Sequence, residues 1–170
     1  MEKAGGWIER KHGKKKRYVK LHFAVNTVTH EVVAMEVSTD DVHDVKALPG
    51  LVEKAEGNVR VTRLYGDGAY DSGDVYRLLE GRGIEPVVKP RRNSRLDAGP
   101  PARRRAVSQI RELGYDAWAK LTGYGGRWAV ETAYSTFKRL FGEHSLARNF
   151  GNIVKELVGK VALYNMLVNM

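Results

Sequence analysis

The chain has 170 residues, of which 42% are hydrophobic, and it contains no cysteine. A chain of this length is one domain by default, and the lack of cysteine excludes disulfide frameworks and thiolate metal sites. No apolar run reaches membrane-spanning length, and no signal peptide follows Met1. The formal net charge of +9 favours a polyanionic partner, for which nucleic acid fits better than an acidic membrane surface.

A basic run and two predicted strands open the chain. Residues 10–17 (Arg-Lys-His-Gly-Lys-Lys-Lys-Arg) are candidates for phosphate contacts, although such runs are also typical of solvated hairpin tips. Residues 18–26 and 31–38 are rich in β-formers and are separated by a short turn, which predicts an antiparallel hairpin. His22, in the first predicted strand, is expected to be a packed residue rather than a metal ligand.

A helix is predicted over residues 45–57, after an acidic cluster. Asp44 is a candidate for its cap, although Pro49 favours a start nearer Leu48. Capping and turn formation explain the cluster of Asp40, Asp41 and Asp44, and a supporting role near a metal is the alternative.

The middle of the chain predicts a strand, a helix and a second strand. The strands are residues 61–65 and 84–88, and the helix is residues 74–80. This order implies a crossover connection and therefore a parallel pair of strands. Asp71 or Ser72 is the expected N-cap of the helix.

Asp67 follows the first strand of this unit and lies between Gly66 and Gly68. Functional sites of α/β sheets gather at the carboxyl ends of strands, which makes Asp67 a candidate catalytic carboxylate. A side chain that only stabilises the turn is the alternative.

Residues 89–105 are basic and poor in hydrophobic residues, so we expect a loop that is disordered until it meets DNA. Lys89, Arg91 and Arg92 are its first candidate phosphate ligands. Residues 106–121 are predicted to be helical, with Gly114 weakening the middle of the helix.

The stretch from Gly123 to Leu140 predicts a helix that is entered through glycines. Tyr124, Arg127, Glu131 and Lys138 follow the spacing Y-x2-R-x3-E-x6-K, and steps of three, four and seven return to nearly the same helix face. A carboxylate between two cations suits a divalent metal next to DNA phosphates. An ordinary surface pair of Arg127 with Glu131 is the alternative.

The hydrophobic spacing assigns the core faces of the last two helices. Val130, Tyr134 and Phe137 are spaced to face a core. Residues 150–170 predict a final amphipathic helix, and its stripe contains Ile153, Leu157, Val161, Tyr164, Leu167 and Val168. Core packing explains this stripe best, with an oligomer contact as the alternative.

Asp67 and the set from Tyr124 to Lys138 together resemble the DDE transposases of prokaryotic insertion sequences, in the group around insertion sequences four and five. Further segments support the resemblance in the same order along the chain: residues 13–22, 42–44, 66–71 and 88–93. The resemblance implies one α/β catalytic domain over residues 1–170, with a ribonuclease H-like mixed sheet and helices on both faces.

The same resemblance implies a site in which three carboxylates hold two divalent cations, Mg²⁺ or Mn²⁺. Asp67 and Glu131 match the second and third carboxylates. Tyr124, Arg127 and Lys138 match residues that bind transposon-end DNA, and we expect further DNA contacts from the basic segments: Lys14, Lys15, Lys16, Arg17, Lys89, Arg91 and Arg92. The implied partners are transposon ends and target DNA, with a homodimer or association with a full-length transposase, in a cytoplasmic, nucleoid-associated setting without a membrane.

No residue of the sequence matches the first family carboxylate, which the family carries on an opening strand. We therefore expect the carboxy-terminal part of a transposase with its first strand missing. The predicted function is DNA cleavage and strand transfer, incomplete in this fragment. The alternative is a non-catalytic DNA-binding remnant that interferes with the full-length enzyme. RNA binding is a weaker third reading, since no base-stacking aromatic motif of the common RNA modules is present.

Overall fold

The computed structural model of the chain describes residues 6–10 and 17–170, with side chains from Val19 onwards. These residues form two compact units. Among the described residues, unit 1 contains 6–10, 17–59 and 129–170, and unit 2 contains 60–128.

The strands are β1 (Gly6–Arg10), β2 (Arg17–Val25), β3 (Val32–Thr39), β4 (Arg63–Gly66) and β5 (Glu85–Val88). The helices are α1 (Asp44–Asn58), α2 (Gly73–Gly81), α3 (Pro101–Leu113), α4 (Tyr115–Thr122), α5 (Trp128–Phe141) and α6 (Phe150–Val168). Two short 3₁₀ turns span Gly68–Tyr70 and Tyr124–Arg127.

The sheet of unit 1 contains β1, β2 and β3 in that order, and both pairings are antiparallel. The predicted hairpin of β2 with β3 is therefore confirmed. Its register shifts between Ala24 and Val25, so that Ala24 pairs with Ala34 and Val25 with Val32. This shift is a β-bulge that places one extra residue in β3.

Alternation along β2 places one set of side chains in the core of unit 1. Val19, Leu21 and Phe23 are buried and pack against α5 and α6. The helices contribute Ala133, Phe137, Ile153, Leu157, Val161 and Tyr164 to this cluster, with Val130 and Tyr134 partly buried at its border. The predicted core faces of the last two helices are thus confirmed, except at Leu167, which is about half exposed.

Helix α1 packs against β2 and β3 and begins at Asp44, so the expected start nearer Leu48 is wrong. Pro49 lies inside the helix, although it removes one backbone hydrogen bond. Burial compensates for this loss, because α1 buries Ala47, Leu48, Leu51, Val52 and Ala55. Asp44 is the first helical residue, and His43 takes the N-cap position without a side-chain hydrogen bond.

In unit 2, β4 and β5 are parallel and are joined through α2, which confirms the predicted crossover. Ser72 caps α2 by accepting a hydrogen bond from the Val75 N–H. The predicted helix over residues 106–121 is divided into α3 and α4, because Gly114 has a φ of 80° that L-residues with a Cβ rarely adopt.

The disorder expected for residues 89–105 is wrong. The segment has a defined course, and α3 already begins at Pro101. Arg103 is only 9% exposed, although it belongs to a run of three arginines.

The α/β class with flanking helices is confirmed. The described strands lie in two sheets, one of three antiparallel strands and one of two parallel strands. Within the described residues, no helix combines the length and the hydrophobicity that a membrane span requires.

The Tyr134 side chain stacks on Phe23 with 4.6 Å between ring centroids, and its hydroxyl bridges two backbone groups of β2. The hydroxyl accepts a hydrogen bond from the Phe23 N–H at 2.9 Å and donates one to the Leu21 carbonyl at 2.6 Å. We expect Tyr134→Phe to lower the free energy of unfolding by about 2 kcal/mol, because both groups lose their partner.

Urea unfolding measures this effect, and Tyr164→Phe is the matched control. The Tyr164 hydroxyl donates a single hydrogen bond, to the His30 carbonyl at 3.0 Å. Its removal should cost less than the removal of the Tyr134 hydroxyl. Equal losses in the two variants would contradict the bridging role.

Candidate functional site

Asp67 lies directly after β4 and begins the 3₁₀ turn Gly68–Tyr70. Its Oδ1 atom accepts a hydrogen bond from the Ala69 N–H at 2.8 Å. The sequence left open whether this carboxylate forms a turn, and the structure shows that it does. No hydrogen bond to its Oδ2 atom occurs among the described residues, so one oxygen remains available to a ligand.

Asp71 lies at the end of the same turn and is not the helix cap. Its side chain is fully buried and pairs with the Arg103 guanidinium, with 2.6 Å from Nε to Oδ1 and 3.0 Å from Nη2 to Oδ2. The Oδ2 atom also accepts hydrogen bonds from the Ser94 hydroxyl at 2.5 Å and from the Arg91 N–H at 2.9 Å. Burial acts to raise the pKa of Asp71, but these hydrogen bonds outweigh it and hold the pKa below its ordinary value.

No spacing in the sequence predicts the pairing of Asp71 with Arg103. Asp71 precedes a helix, where capping is the usual explanation, and Arg103 is one of three consecutive arginines. Their pairing spans 32 positions of the chain and depends on a fold that spacing alone does not specify.

The arginines of residues 89–105 differ in their contacts: some pair with named partners, and others stay exposed. Arg91 donates to the Gly68 carbonyl at 2.8 Å and to the Ala69 carbonyl at 3.3 Å. Arg95 pairs with Asp97 at 2.7 Å. In the part of the chain that the structure describes, no hydrogen bond or ion pair engages three exposed side chains: Arg92, Arg104 and Arg105.

Tyr124 lies in an aromatic cluster of unit 2. Its ring centroid is 5.0 Å from that of Trp118 and 6.4 Å from that of Tyr115, and the residue is only 4% exposed. The Lys89 ammonium lies 4.6 Å from the centroid of the Tyr115 ring. The Tyr124 ring is therefore not open to stacking by a base in this conformation.

The four residues of the Y-x2-R-x3-E-x6-K spacing do not share one α-helix. Tyr124 and Arg127 form the ends of the second 3₁₀ turn, whereas Glu131 and Lys138 lie on α5. The Arg127 guanidinium lies 5.0 Å from the ring centroid of Trp128.

On α5, Glu131 is half-buried in the first turn, and Lys138 is near the end of the helix. Lys138 pairs with Glu143 at 2.8 Å. Because seven residues are close to two turns, Glu131 and Lys138 project from about the same side of α5.

Four of the predicted phosphate ligands have no described side chain. Lys14, Lys15 and Lys16 lie outside the described residues, and Arg17 is described only as the first residue of β2. Their predicted roles stay predictions.

His22 is 5% exposed and forms a hydrogen bond with the Ser38 hydroxyl at 2.9 Å, so its expected structural role is confirmed. Burial lowers its pKa, against the opposing charge of Asp44. Asp44 lies 3.5 Å from the Lys20 ammonium. Its buried Oδ1 atom has no hydrogen-bond partner in the described part of the chain.

A divalent metal at this site requires oxygen donors. Carboxylate oxygens are the donors that Mg²⁺ and Mn²⁺ prefer, and Asp67 has an available oxygen. A group of three or more His, Cys, Asp or Glu side chains arranged for a metal is absent from the described residues. The donor type of Asp67 therefore fits a divalent cation.

Comparison with known proteins gives one family. Residues 2–166 match the family model described as "Transposase DDE domain". No solved structure matches the chain.

The depressed pKa of Asp71 makes the stability of the protein depend on pH. The unfolded carboxyl, with a pKa of about 3.9, binds a proton more tightly than the folded one. The stabilisation is therefore complete well above that value and is lost as the pH falls through the folded pKa. We expect Asp71→Asn to destabilise the protein by about 3–5 kcal/mol at pH 7, since Arg103 keeps a buried charge without its partner.

The difference between wild type and Asp71→Asn should shrink as the pH falls below about 4. Urea unfolding at a series of pH values measures it. Asp74→Asn is the control, because Asp74 and Arg77 form an exposed pair. A difference that stays constant down to pH 2 would show that folding does not lower the pKa of Asp71.

Proposed function

Because the chain belongs to the transposase DDE domain family, we propose that it takes part in DNA transposition, the cleavage and rejoining of phosphodiester bonds, and that it contributes two of the three carboxylates which that chemistry requires. The observation that carries this proposal is the family match over nearly the whole chain. The position of Asp67 supports it, since this carboxylate follows a parallel strand and keeps one oxygen available.

In the proposed mechanism, Asp67 and Glu131 hold divalent cations, Mg²⁺ or Mn²⁺. When bound, such ions activate the attacking hydroxyl or water and stabilise the leaving oxygen at phosphorus. The Asp67 Oδ1–Ala69 hydrogen bond orients that carboxylate within its turn. Glu131 projects from α5, whose residues Ala133 and Phe137 are packed in the core of unit 1, and this packing gives Glu131 a rigid support.

We further propose a ribonuclease H-like arrangement, membership in the group around insertion sequences four and five, and binding of transposon ends and target DNA. We also propose that the chain forms a homodimer, that it associates with a longer transposase, and that it is located at the nucleoid. These finer assignments depend on the sequence resemblance. The net charge of +9 supports the DNA partner.

Within unit 2, the exposed side chains of Arg92, Arg104 and Arg105 are the proposed phosphate ligands. Lys89 is a further candidate, although its ammonium is held next to Tyr115. Arg127 and Lys138 keep their proposed roles at the DNA through their charge, and Tyr124 contributes by packing near Arg127.

A second candidate function is DNA binding without cleavage. The sequence resemblance favours it, since Asp67 and Glu131 match only two of the three family carboxylates. A remnant of this kind would compete with a complete transposase for the same DNA.

Plasmid nicking with Mg²⁺ or Mn²⁺ separates the two candidates. We expect the chain alone to bind plasmid DNA and to leave it uncut, because Asp67 and Glu131 supply two of the three carboxylates that the resemblance implies. Loss of one electrostatic contact in an active site costs about 100- to 1,000-fold in rate, and loss of a metal should cost more. Robust nicking that both Asp67→Asn and Glu131→Gln abolish would show that another residue completes the site.

Replacement of Arg92 by alanine should weaken DNA binding severalfold and reduce the slope of log affinity against log salt by about 1, as expected for one phosphate contact. Fluorescence anisotropy with a labelled duplex across a salt series measures both quantities. Arg95→Ala is the matched control, because Asp97 already neutralises Arg95. Equal slopes for Arg92→Ala and the wild type would argue against a phosphate contact.

A further inference from the structure

The turn that carries Asp67 is held from outside by the segment that follows β5. The Arg91 side chain donates hydrogen bonds to the carbonyls of Gly68 and Ala69, which are the two residues after Asp67. The Ala69 N–H in turn donates to the Asp67 carboxylate, and the Tyr70 N–H donates to the Asp67 carbonyl at 3.1 Å. Arg91 therefore holds, by hydrogen bonds, the peptide units that orient the proposed metal ligand Asp67.

Arg91 is fixed in its turn by the buried carboxylate of Asp71. The Arg91 N–H donates to Asp71 Oδ2, and the Ser94 N–H donates to the Arg91 carbonyl at 3.0 Å. Ser94 and Arg103 complete the shell of donors around Asp71. One carboxylate thus sets the position of the backbone from which the Arg91 side chain reaches the Asp67 turn.

Arg103 is held in place at its outer end as well. Its Nη1 atom donates to the Ala98 carbonyl at 2.8 Å. Gly99 has a φ of 89°, and a Cβ at this position would lie 2.8 Å from Arg103 Cδ. A side chain at position 99 would therefore displace the guanidinium that pairs with Asp71.

From these contacts we infer that Asp71, Arg103 and Arg91 form a positioning device for the candidate metal ligand Asp67. The inference rests on the proposed function, because it gives this network a role in metal binding as well as in folding. Asp71 and Arg103 act through the backbone of residues 91–94, and Arg91 acts on the carbonyls of the turn. Arg91 is accordingly a positioning residue in addition to a cation near the proposed DNA surface.

The test compares Arg91→Ala with Arg77→Ala by two measurements on the full chain. Both arginines are exposed, and the control residue Arg77 pairs with Asp74 on α2. The first measurement is amide hydrogen exchange at Ala69 and Tyr70 by NMR. The second is the affinity for Mn²⁺ by isothermal titration calorimetry.

We expect Arg91→Ala to speed exchange at Ala69 and Tyr70 by about tenfold, because the turn loses two hydrogen bonds. Its Mn²⁺ affinity should fall by about 10-fold or more, as for other partners that orient metal ligands. Arg77→Ala should match the wild type in both measurements. Unchanged exchange, or faster exchange with unchanged Mn²⁺ affinity, would overturn the inference.

Two further variants separate this inference from the proposed function. If Asp67→Asn leaves Mn²⁺ binding unchanged, then Asp67 is not a metal ligand, and the proposed function fails first. Asp71→Asn should reproduce both effects of Arg91→Ala if the protein stays folded, and the exposed Arg91 variant decides the matter if it does not.

Discussion

The organisation of unit 2 depends on one buried ion pair, Asp71 with Arg103. A buried carboxylate is costly unless its partners satisfy it, because it loses its hydration. Here it accepts four hydrogen bonds, which come from Arg103, Ser94 and the Arg91 backbone. These donors come from the turn of residues 91–94 and from α3, so a single carboxylate anchors a basic segment to the turn after β4.

The contacts of Asp71 and of the Asp67 turn give different roles to arginines that the sequence does not distinguish. Arg103 neutralises a buried charge, and Arg91 holds the carbonyls of the Asp67 turn. Arg92 stays exposed and is free of such contacts within the described residues. A positive charge count therefore overstates the number of cations that are available to DNA phosphates.

Unit 1 depends on a different constraint, the packing of α5 on the central strand β2. Tyr134 bridges two backbone groups of that strand and stacks on Phe23, while Phe137 lies edge-on to the same ring at 5.3 Å. These contacts fix the orientation of α5 and therefore the direction in which Glu131 leaves the helix.

Periodic features of the chain were predicted correctly from the sequence. The hairpin, the parallel pair β4–β5 and the buried stripe of α6 all follow from alternation or from helical spacing, which are local signals. The division of residues 106–121 at Gly114 was only partly anticipated, since glycine was expected to weaken the helix and in fact ends it.

Features that depend on distant partners were not predicted. The order of residues 89–105 comes from Asp71, and the helical conformation around Pro49 comes from burial against the sheet. The burial of Tyr124 depends on Trp118 in the same way. Asp67 was proposed from its strand-end position, whereas the network of Asp71 and Arg103 was not predicted because no spacing rule relates these two residues.

The central proposal is that Asp67 and Glu131 are ligands of the divalent cations that DNA cleavage and joining require. Anomalous diffraction from crystals soaked in Mn²⁺ tests it most directly. We predict bound manganese with oxygens of Asp67 and of Glu131 at about 2.0–2.6 Å, and loss of the manganese at Asp67 in Asp67→Asn. A manganese peak at other carboxylates, such as Asp44, with Asp67 and Glu131 unoccupied would contradict the account.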